Sequence, residues 1–397
     1  MTTFQEILAK STARGSNIVP GCVFAAVDKT GKVIYSGSSG YDSVRADAPP
    51  IDPKGAFWIG SCSKIVGAIA ALQCVERGLL TLDEPVSKFL PELSDLQIIG
   101  AGDAEPGSDQ FKFTKTTKQI TLRQLLTHSS GLAYDVLDPV LLAWRSSRNE
   151  SPKALTGTII DAMSVPLRFE PGEGWAYSSG IDWAGLLVSR LNDNIPLEEY
   201  MQENICKPLG LESTTFRLEK HPGIKAKLVG TSARQPDGTM ISSQRLWPEY
   251  SPEDCAGAGI YSTVDDFTKI VGDLVRDSPI LLKKETVEKM FVGQLPAGSI
   301  ALESLRAAAP ALEPLTGVSN MAKAANHALG AIYLDEQTST QKQGTLCGAG
   351  LPHCFWFANR NEGLAAFYAS QVLPPGDPAA TKLAFDFFQE ICRPEPV

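Results

Sequence analysis

The sequence places a serine and a lysine three residues apart, where an apolar strand pattern gives way to an apolar helix pattern. Residues 60–64 read GSCSK, so Ser61 and Lys64 would lie one turn apart on the same helix face. Apolar residues after Lys64 would bury its amine, and desolvation would disfavour the ammonium form. Lys64 would then take a proton from Ser61 and make it a nucleophile. Because S-x-x-K is common by chance, a helix-capping serine beside a surface lysine is the alternative.

A second candidate is Tyr177, which two serines follow in a segment rich in glycine and tryptophan. A phenol held beside an ammonium group ionises more easily and can act as an acid–base partner for Ser61. The alternative is a loop tyrosine that only packs its ring.

The third candidate segment, residues 344–353, reads GTLCGAGLPH and precedes an apolar strand pattern. Its small residues at 348–350 would let a substrate lie along the strand edge. The Leu351 N–H would donate to an oxyanion, which the free N–H groups at the start of the Ser61 helix also favour. The segment has no GxGxxG or P-loop pattern, so it gives no reason to expect phosphate binding. A simple hairpin corner is the alternative.

The elements that must position these residues come from both ends of the chain. Strand patterns occur at 22–27, 33–36, 56–59, 355–357 and 364–372. Helices are predicted at 3–14, at 61–77 with Gly78 as C-cap, and after the N-cap Asp377. We therefore expect one antiparallel sheet, flanked by terminal helices.

The middle of the chain has a different pattern. Helical spacing at 122–126 and 181–191 is separated by long polar connections at 102–118 and 223–245. This predicts a mainly helical inserted domain at 81–255, within an α/β domain formed by residues 1–80 and 256–397. Ser61 and Tyr177 would then belong to different domains and meet at the cleft between them.

Composition narrows the class of protein. The chain has 397 residues, 43% of them hydrophobic, and a net charge of −9, which is ordinary globular composition and argues against nucleic-acid binding. The eight cysteines lack CxxC or Cys/His ligand spacing, so no metal site is predicted, and Cys62 is interpreted as a core residue. No secretory leader and no apolar run of membrane-spanning length is visible. These features indicate a cytoplasmic protein with reduced thiols and no membrane partner.

Taken together, the three segments resemble the motifs of the serine β-lactamase and penicillin-binding-protein superfamily, in its class C and family VIII esterase branch. That family has S-x-x-K, Y-x-N and a third motif on a strand. Residues 120–132, ITLRQLLTHSSGL, are similar to a further family segment, in which we expect His128 to make a structural hydrogen bond. Residues 182–185, 200–210 and 344–352 resemble the fungal acyltransferases (transesterases) of lovastatin side-chain attachment.

This resemblance implies the β-lactamase/transpeptidase-like α/β (α+β) fold, with Ser61 as nucleophile and with Lys64 and Tyr177 as the acid–base pair. Which of these two is the resting base stays open. The oxyanion hole would be the backbone N–H groups of Ser61 and Leu351. Further substrate contacts are predicted at Ser179, Gly348, Ala349, Gly350, His353 and Trp356.

Two departures from the family pattern bear on the substrate. Ser179 stands where asparagine is usual, and residues 348–350 replace Lys-Thr-Gly, so the cation that grips a β-lactam carboxylate is missing. Both changes favour a neutral or bulky acyl group.

The resemblance implies a serine acyltransferase that needs no cofactor and acts in secondary metabolism. It would move an acyl group from a thioester, on CoA or an acyl carrier protein domain of a polyketide synthase, to a hydroxyl of a small-molecule acceptor. An esterase or thioesterase on the same scaffold and a catalytically silent binding protein are the alternatives.

Overall fold

The computed structural model of the chain describes residues 3–102 and 110–393. Its helices are α1 (Phe4–Ser11), α2 (Ser63–Glu76), α3 (Leu122–Leu126), α4 (Pro139–Ser147), α5 (Ile160–Met163), α6 (Gly180–Leu191), α7 (Leu197–Met201), α8 (Lys207–Leu209), α9 (Pro222–Lys225), α10 (Val264–Asp273), α11 (Lys284–Met290), α12 (Ile300–Ala307), α13 (Ala309–Thr316), α14 (Met321–Ala324) and α15 (Pro378–Ile391). Its strands are β1 (Gly21–Asp28), β2 (Val33–Gly40), β3 (Ala56–Trp58), β4 (Gln97–Ala101), β5 (Phe111–Lys115), β6 (Ser232–Arg234), β7 (Met240–Ser242), β8 (Tyr261–Thr263), β9 (Ala325–His327), β10 (Ile332–Leu334), β11 (Thr345–Gly350), β12 (Cys354–Asn359), β13 (Leu364–Ala369) and β14 (Val372–Leu373).

The largest sheet joins the two ends of the chain. Its seven strands lie in the order β2-β1-β13-β12-β11-β10-β9, and neighbouring strands are antiparallel. Strand β1 pairs with β13 so that Phe24 lies opposite Tyr368. The prediction of an antiparallel sheet built from both chain ends is confirmed, except that β3 pairs with β8 in a separate sheet and the end of the 364–372 segment forms β14, which pairs with β6.

Successive side chains of the central strands alternate between two hydrophobic cores, as the two-residue period of a strand requires. Phe355 and Phe357 face the core that contains α1 and α15, whereas Trp356 faces the core that contains α2 and α10. In the first core the rings of Phe24 and Phe387 lie 4.8 Å apart. Both faces of the sheet are therefore covered, and the terminal helices flank it as expected.

Helix α2 is buried over almost its whole length, because it packs against α6 and shares a hydrophobic core with Trp356 and Phe367 of the sheet. It follows a single 3₁₀ turn, Gly60–Cys62, so the predicted helix start at Ser61 is a tighter turn than an α-helix. It ends beside Gly78, whose φ of +71° fits the predicted cap. Cys62 is fully buried, with its Sγ 3.5 Å from the carbonyl oxygen of Cys354, as expected for a core residue.

The middle of the chain contains helices α3 to α9, and its polar connections are less irregular than predicted. The described part of the 102–118 connection contributes β5, which pairs with β4, while residues 103–109 lie outside the described residues. In the 223–245 connection, β6 and β7 form a hairpin around Asp237 and Gly238, which has a φ of +87°. Because β6 also pairs with β14, the division into two domains stays a prediction.

Across the described parts of the chain, no helix combines the length and the apolar character that crossing a bilayer would require.

Candidate active site

Ser61 lies at the turn where β3 leads into α2. Gly60 adopts a φ of +52°, which favours glycine and lets the chain turn sharply there. The hydroxyl of Ser63 fastens this turn, since it donates to the Gly60 carbonyl at 2.7 Å and accepts from the Ile260 N–H at 3.1 Å. Ser61 itself is partly exposed. The turn therefore presents the Ser61 hydroxyl to solvent in a fixed position.

Lys64 lies one turn further on and is 5% exposed. Its Nζ is 3.3 Å from Ser61 Oγ. The same nitrogen donates to the carbonyl oxygen of Gly257 at 2.7 Å and lies 3.1 Å from the Tyr134 hydroxyl. The structure thus brings Ser61 and Lys64 within hydrogen-bond reach, the geometry that proton transfer from serine to lysine needs.

Tyr177 borders the same amine. The Nζ of Lys64 lies 4.8 Å from the centre of the Tyr177 ring, and that ring packs against His128 and Tyr134 at 4.8 Å and 5.7 Å between centroids. Tyr177 is partly exposed, and within the described residues its hydroxyl has no hydrogen-bond partner. The hydroxyl is therefore free to exchange a proton with a bound substrate.

Leu351 closes the other side of the turn. Its backbone nitrogen lies beside Gly60, where an added methyl group would come within 3.0 Å of it. In the described part of the chain, the N–H groups of Ser61 and Leu351 donate to no protein acceptor. Two free N–H groups beside a serine hydroxyl can stabilise the oxyanion of a tetrahedral intermediate.

Gly350 holds Leu351 in this place. A methyl group on its Cα would overlap the carbonyl oxygen of Ile59, so the end of β11 packs directly against the backbone that precedes Ser61. We expect Gly350→Ala to push β11 away, lower the free energy of unfolding by about 1–3 kcal/mol and slow Ser61 acylation at least about tenfold.

Urea unfolding and acylation by an activated ester would measure the two effects of Gly350→Ala. The matched control is Gly223→Ala, because a methyl group there would meet nothing within 4 Å. If Gly350→Ala behaved like this control, the close packing of β11 on the turn would be wrong.

Four of the predicted substrate contacts, Gly348, Ala349, Gly350 and Trp356, lie along β11 and β12. A side chain at Gly348 would come within 2.6 Å of Trp356 Nε1, so the space beside this glycine is filled by the indole. Trp356 is only 2% exposed, and Ala349 packs against the core that contains α1 and α15. The Trp356 indole therefore fills the space beside Gly348, whereas Gly348 and Ala349 themselves are partly exposed, and the substrate contacts along this edge stay a prediction.

Two more predicted contacts are buried. Ser179 is fully buried at the start of α6. His353 is 1% exposed, its Nδ1 lies 2.9 Å from the carbonyl oxygen of Val372, and its ring packs on Phe355. Packing leaves these side chains no exposed polar atom, and their contact with a substrate stays a prediction.

The structure adds two side chains that sequence reasoning missed. Tyr134 donates its hydroxyl hydrogen to Asp182 Oδ2 at 3.0 Å, and Oδ1 of Asp182 accepts the Gly257 N–H at 2.8 Å. Burial raises the pKa of Asp182, an effect that the ammonium form of Lys64 opposes, and burial raises the pKa of Tyr134 well above its usual value. The available signal was a single carboxylate among the apolar residues of the α6 segment.

His128 packs against the Tyr177 ring and bonds to the next residue, Ser178. Its Nδ1 accepts the N–H of Ser178 at 3.2 Å and lies 2.9 Å from the Ser178 hydroxyl. Its ring also meets the ring of His327 edge-on at 5.0 Å. The structural hydrogen bond predicted for His128 is therefore confirmed, and it fastens the residue that follows Tyr177.

These histidines make stability depend on pH. Burial lowers the pKa of His128 well below its usual value and that of His327 to about 4, so the folded chain keeps both neutral where the unfolded chain binds protons. The free energy of unfolding should therefore fall as pH drops from about 6.5 to about 4, by up to about 3 kcal/mol for His327.

Urea unfolding at several pH values, on the wild type and on His327→Gln, would measure this dependence. The variant should show a shallower loss of stability on acidification, whereas His221→Gln, at a partly exposed position, should keep the wild-type slope. Equal slopes in His327→Gln and the wild type would contradict the prediction.

The fold and the serine–lysine–tyrosine arrangement define a class of serine enzymes, and comparison with known proteins identifies it. The family described as Beta-lactamase matches residues 9–389, so this chain belongs to the beta-lactamase family. This confirms the resemblance and the fold class expected from the sequence.

Individual relatives show which members of this family the chain is similar to. The acyltransferase calJ of Penicillium decumbens is 34% identical over 96% of each chain. The lovastatin esterase of Penicillium rubens is 32% identical, over 95% of this chain and 93% of its own. A solved mutant of simvastatin synthase from Aspergillus terreus is 30% identical, with a TM-score of 0.87 over 98% of this chain and 93% of its own. Acyltransferases and an esterase are thus among the fungal relatives of this enzyme.

Proposed function

We propose that the chain is a serine acyltransferase that moves an acyl group from a thioester to a hydroxyl of a small-molecule acceptor in secondary metabolism. The observation that carries this proposal is the position of the Lys64 amine, 3.3 Å from Ser61 Oγ, beside a turn with two free N–H groups. The donor would be carried on CoA or on an acyl carrier protein domain of a polyketide synthase, as the family resemblance implies.

The first half-reaction forms an acyl-enzyme. Lys64 takes the Ser61 proton while Oγ attacks the thioester carbonyl carbon, and the N–H groups of Ser61 and Leu351 bind the oxyanion. The intermediate collapses, the C–S bond breaks, and the leaving sulfur takes the proton of the Tyr177 hydroxyl. The enzyme then holds an ester at Ser61, an ammonium at Lys64 and a phenolate at Tyr177.

The second half-reaction restores the enzyme. The acceptor hydroxyl gives its proton to the Tyr177 phenolate and attacks the ester carbonyl carbon. The bond to Ser61 Oγ breaks, and Oγ recovers its proton from Lys64. Lys64 thus holds the Ser61 proton and returns it, whereas Tyr177 gives its proton to the leaving thiol and takes a new one from the acceptor.

Hydrolysis by the same acyl-enzyme is the second candidate function. The chain is 32% identical to a lovastatin esterase and 34% identical to the acyltransferase calJ. This similar identity supports hydrolysis as the second candidate. The two functions differ only in whether water or an alcohol takes the acyl group from Ser61.

Intact-mass measurement tests the proposal. The enzyme would be mixed with a panel of acyl-CoA and acyl carrier protein thioesters and then with hydroxyl acceptors. We expect an acyl adduct on the wild type, no adduct on Ser61→Ala, and ester product once an acceptor is added. Absence of any adduct would refute the proposal, and free acid alone across the acceptor panel would establish the esterase.

A further inference from the structure

We propose that Asp182 and Tyr134 set the direction of a hydrogen-bond chain that aims the lone pair of the neutral Lys64 amine at Ser61. The inference rests on the proposed function, since it takes Ser61 as the nucleophile. It also takes Lys64 in the neutral form that the proposed function requires of the base in the first step. Asp182 and Tyr134 are then positioning residues that act through Lys64.

Asp182 fixes which groups donate and which accept along this hydrogen-bond chain. The Gly257 N–H, 2.8 Å from Oδ1, can only donate, so this carboxylate oxygen must accept. The second oxygen of the carboxylate also accepts, and its partner is the Tyr134 hydroxyl at 3.0 Å. Asp182 is 1% exposed, so bulk solvent does not compete for either oxygen.

This hydrogen-bond chain then determines in which direction the lone pair of Lys64 points. Because the single hydroxyl hydrogen of Tyr134 is directed at Asp182, the Tyr134 oxygen accepts from Nζ at 3.1 Å. The Gly257 carbonyl oxygen, 2.7 Å from Nζ, can only accept as well. These two bonds use both hydrogens of a neutral amine. Its lone pair is left for the third neighbour, Ser61 Oγ, at 3.3 Å.

The near-isosteric change Asp182→Asn should reverse the direction of the hydrogen bonds from residue 182 through Tyr134 to Lys64. The amide oxygen must face the Gly257 N–H, so the amide NH₂ faces the Tyr134 oxygen. Tyr134 then turns its hydrogen toward Lys64, and the lone pair of the amine accepts it. The amine no longer presents its lone pair to Ser61, although no atom of the serine or lysine has been changed.

The experiment measures the rate of Ser61 acylation by a p-nitrophenyl ester and by a fluorophosphonate probe. We expect Asp182→Asn to slow both reactions about 100-fold or more, the scale of losing a general base. Tyr134→Phe should slow them only about tenfold, because the amine can still turn its lone pair to Ser61 and no hydroxyl hydrogen competes for it. The matched control is Asp266→Asn, a buried carboxylate whose Oδ2 accepts the Ser213 N–H and the Thr214 hydroxyl away from this site.

The double variant gives the decisive readout. When the Tyr134 hydroxyl is also removed, no hydroxyl hydrogen can be directed at the lone pair of Lys64. Asp182→Asn combined with Tyr134→Phe should therefore react faster than Asp182→Asn alone, at about the rate of Tyr134→Phe. A purely structural role predicts that the double variant is the slowest of the three.

The outcomes separate this inference from the proposed function. A wild type that neither reagent acylates at Ser61 would overturn the proposed function. An acylated wild type with an unimpaired Asp182→Asn, or with a double variant slower than both single variants, would overturn the inference alone. If Asp182→Asn does not fold, a loss of 100-fold or more in folded Tyr134→Phe overturns it, because the direction of the lone pair would then not be the controlling feature.

Discussion

Lys64→Ala should slow the acylation of Ser61 by about a thousandfold or more, while the protein stays folded. The change removes the base that lies 3.3 Å from Ser61 Oγ. It also leaves the Tyr134 oxygen and the Gly257 carbonyl without their donor, which should cost about 1–3 kcal/mol of stability each at most. Stopped-flow release of p-nitrophenol would measure the rate, and circular dichroism would check the fold.

Lys269→Ala is the matched control for Lys64→Ala. Lys269 also lies on a helix, α10, but its partner is the exposed Asp265 at 2.8 Å. This variant should keep the wild-type rate. If Lys64→Ala acylated as fast as the control, Lys64 would not be the base.

Tyr177→Phe should block transfer to an acceptor about 100-fold to 1,000-fold and yet spare acylation by a p-nitrophenyl ester. The reason is the free hydroxyl of Tyr177, which we assign to the leaving group and the acceptor and not to Ser61. A p-nitrophenolate leaves without a proton, whereas an alcohol acceptor must lose one. The acyl-enzyme should therefore accumulate in the variant, and intact mass would detect it.

Tyr200→Phe is the control for this change, since it removes a buried tyrosine hydroxyl that bonds to Gln73 away from the site. It should leave both half-reactions unchanged. If Tyr177→Phe transferred the acyl group at the wild-type rate, or lost acylation as completely as Lys64→Ala, the division of proton transfers between the two residues would be wrong.

The parts of the site that the sequence predicts are those set by local geometry. A spacing of three residues in a helix brings Ser61 and Lys64 together whatever surrounds them, and strand periodicity predicts the sheet that holds the turn. Tyr134 and Asp182 were missed because their meeting depends on the packing of α6 against α2 and on the loop after α3. No local pattern encodes a contact of that kind.

Burial explains the remaining differences. A polar residue next to a motif, such as Ser179 or His353, can face either a substrate or the core, and the tertiary packing decides which. The 232–242 hairpin is a different case, because its Asp-Gly pair is a local turn signal that the overall polarity of the segment obscured.

The packing of β11 on the turn that carries Ser61 also has a consequence for the synthesis of the protein. The two N–H groups beside the nucleophile come from opposite ends of the chain, and β1 acquires its partner β13 only when the C-terminal strands exist. Such long-range pairing is slow, and during translation the emerging N-terminal half carries Ser61 and Lys64 without Leu351. A nascent chain on the ribosome therefore lacks this pair of N–H groups, and the acyl transfer that we propose would begin only after the C-terminal strands have been made.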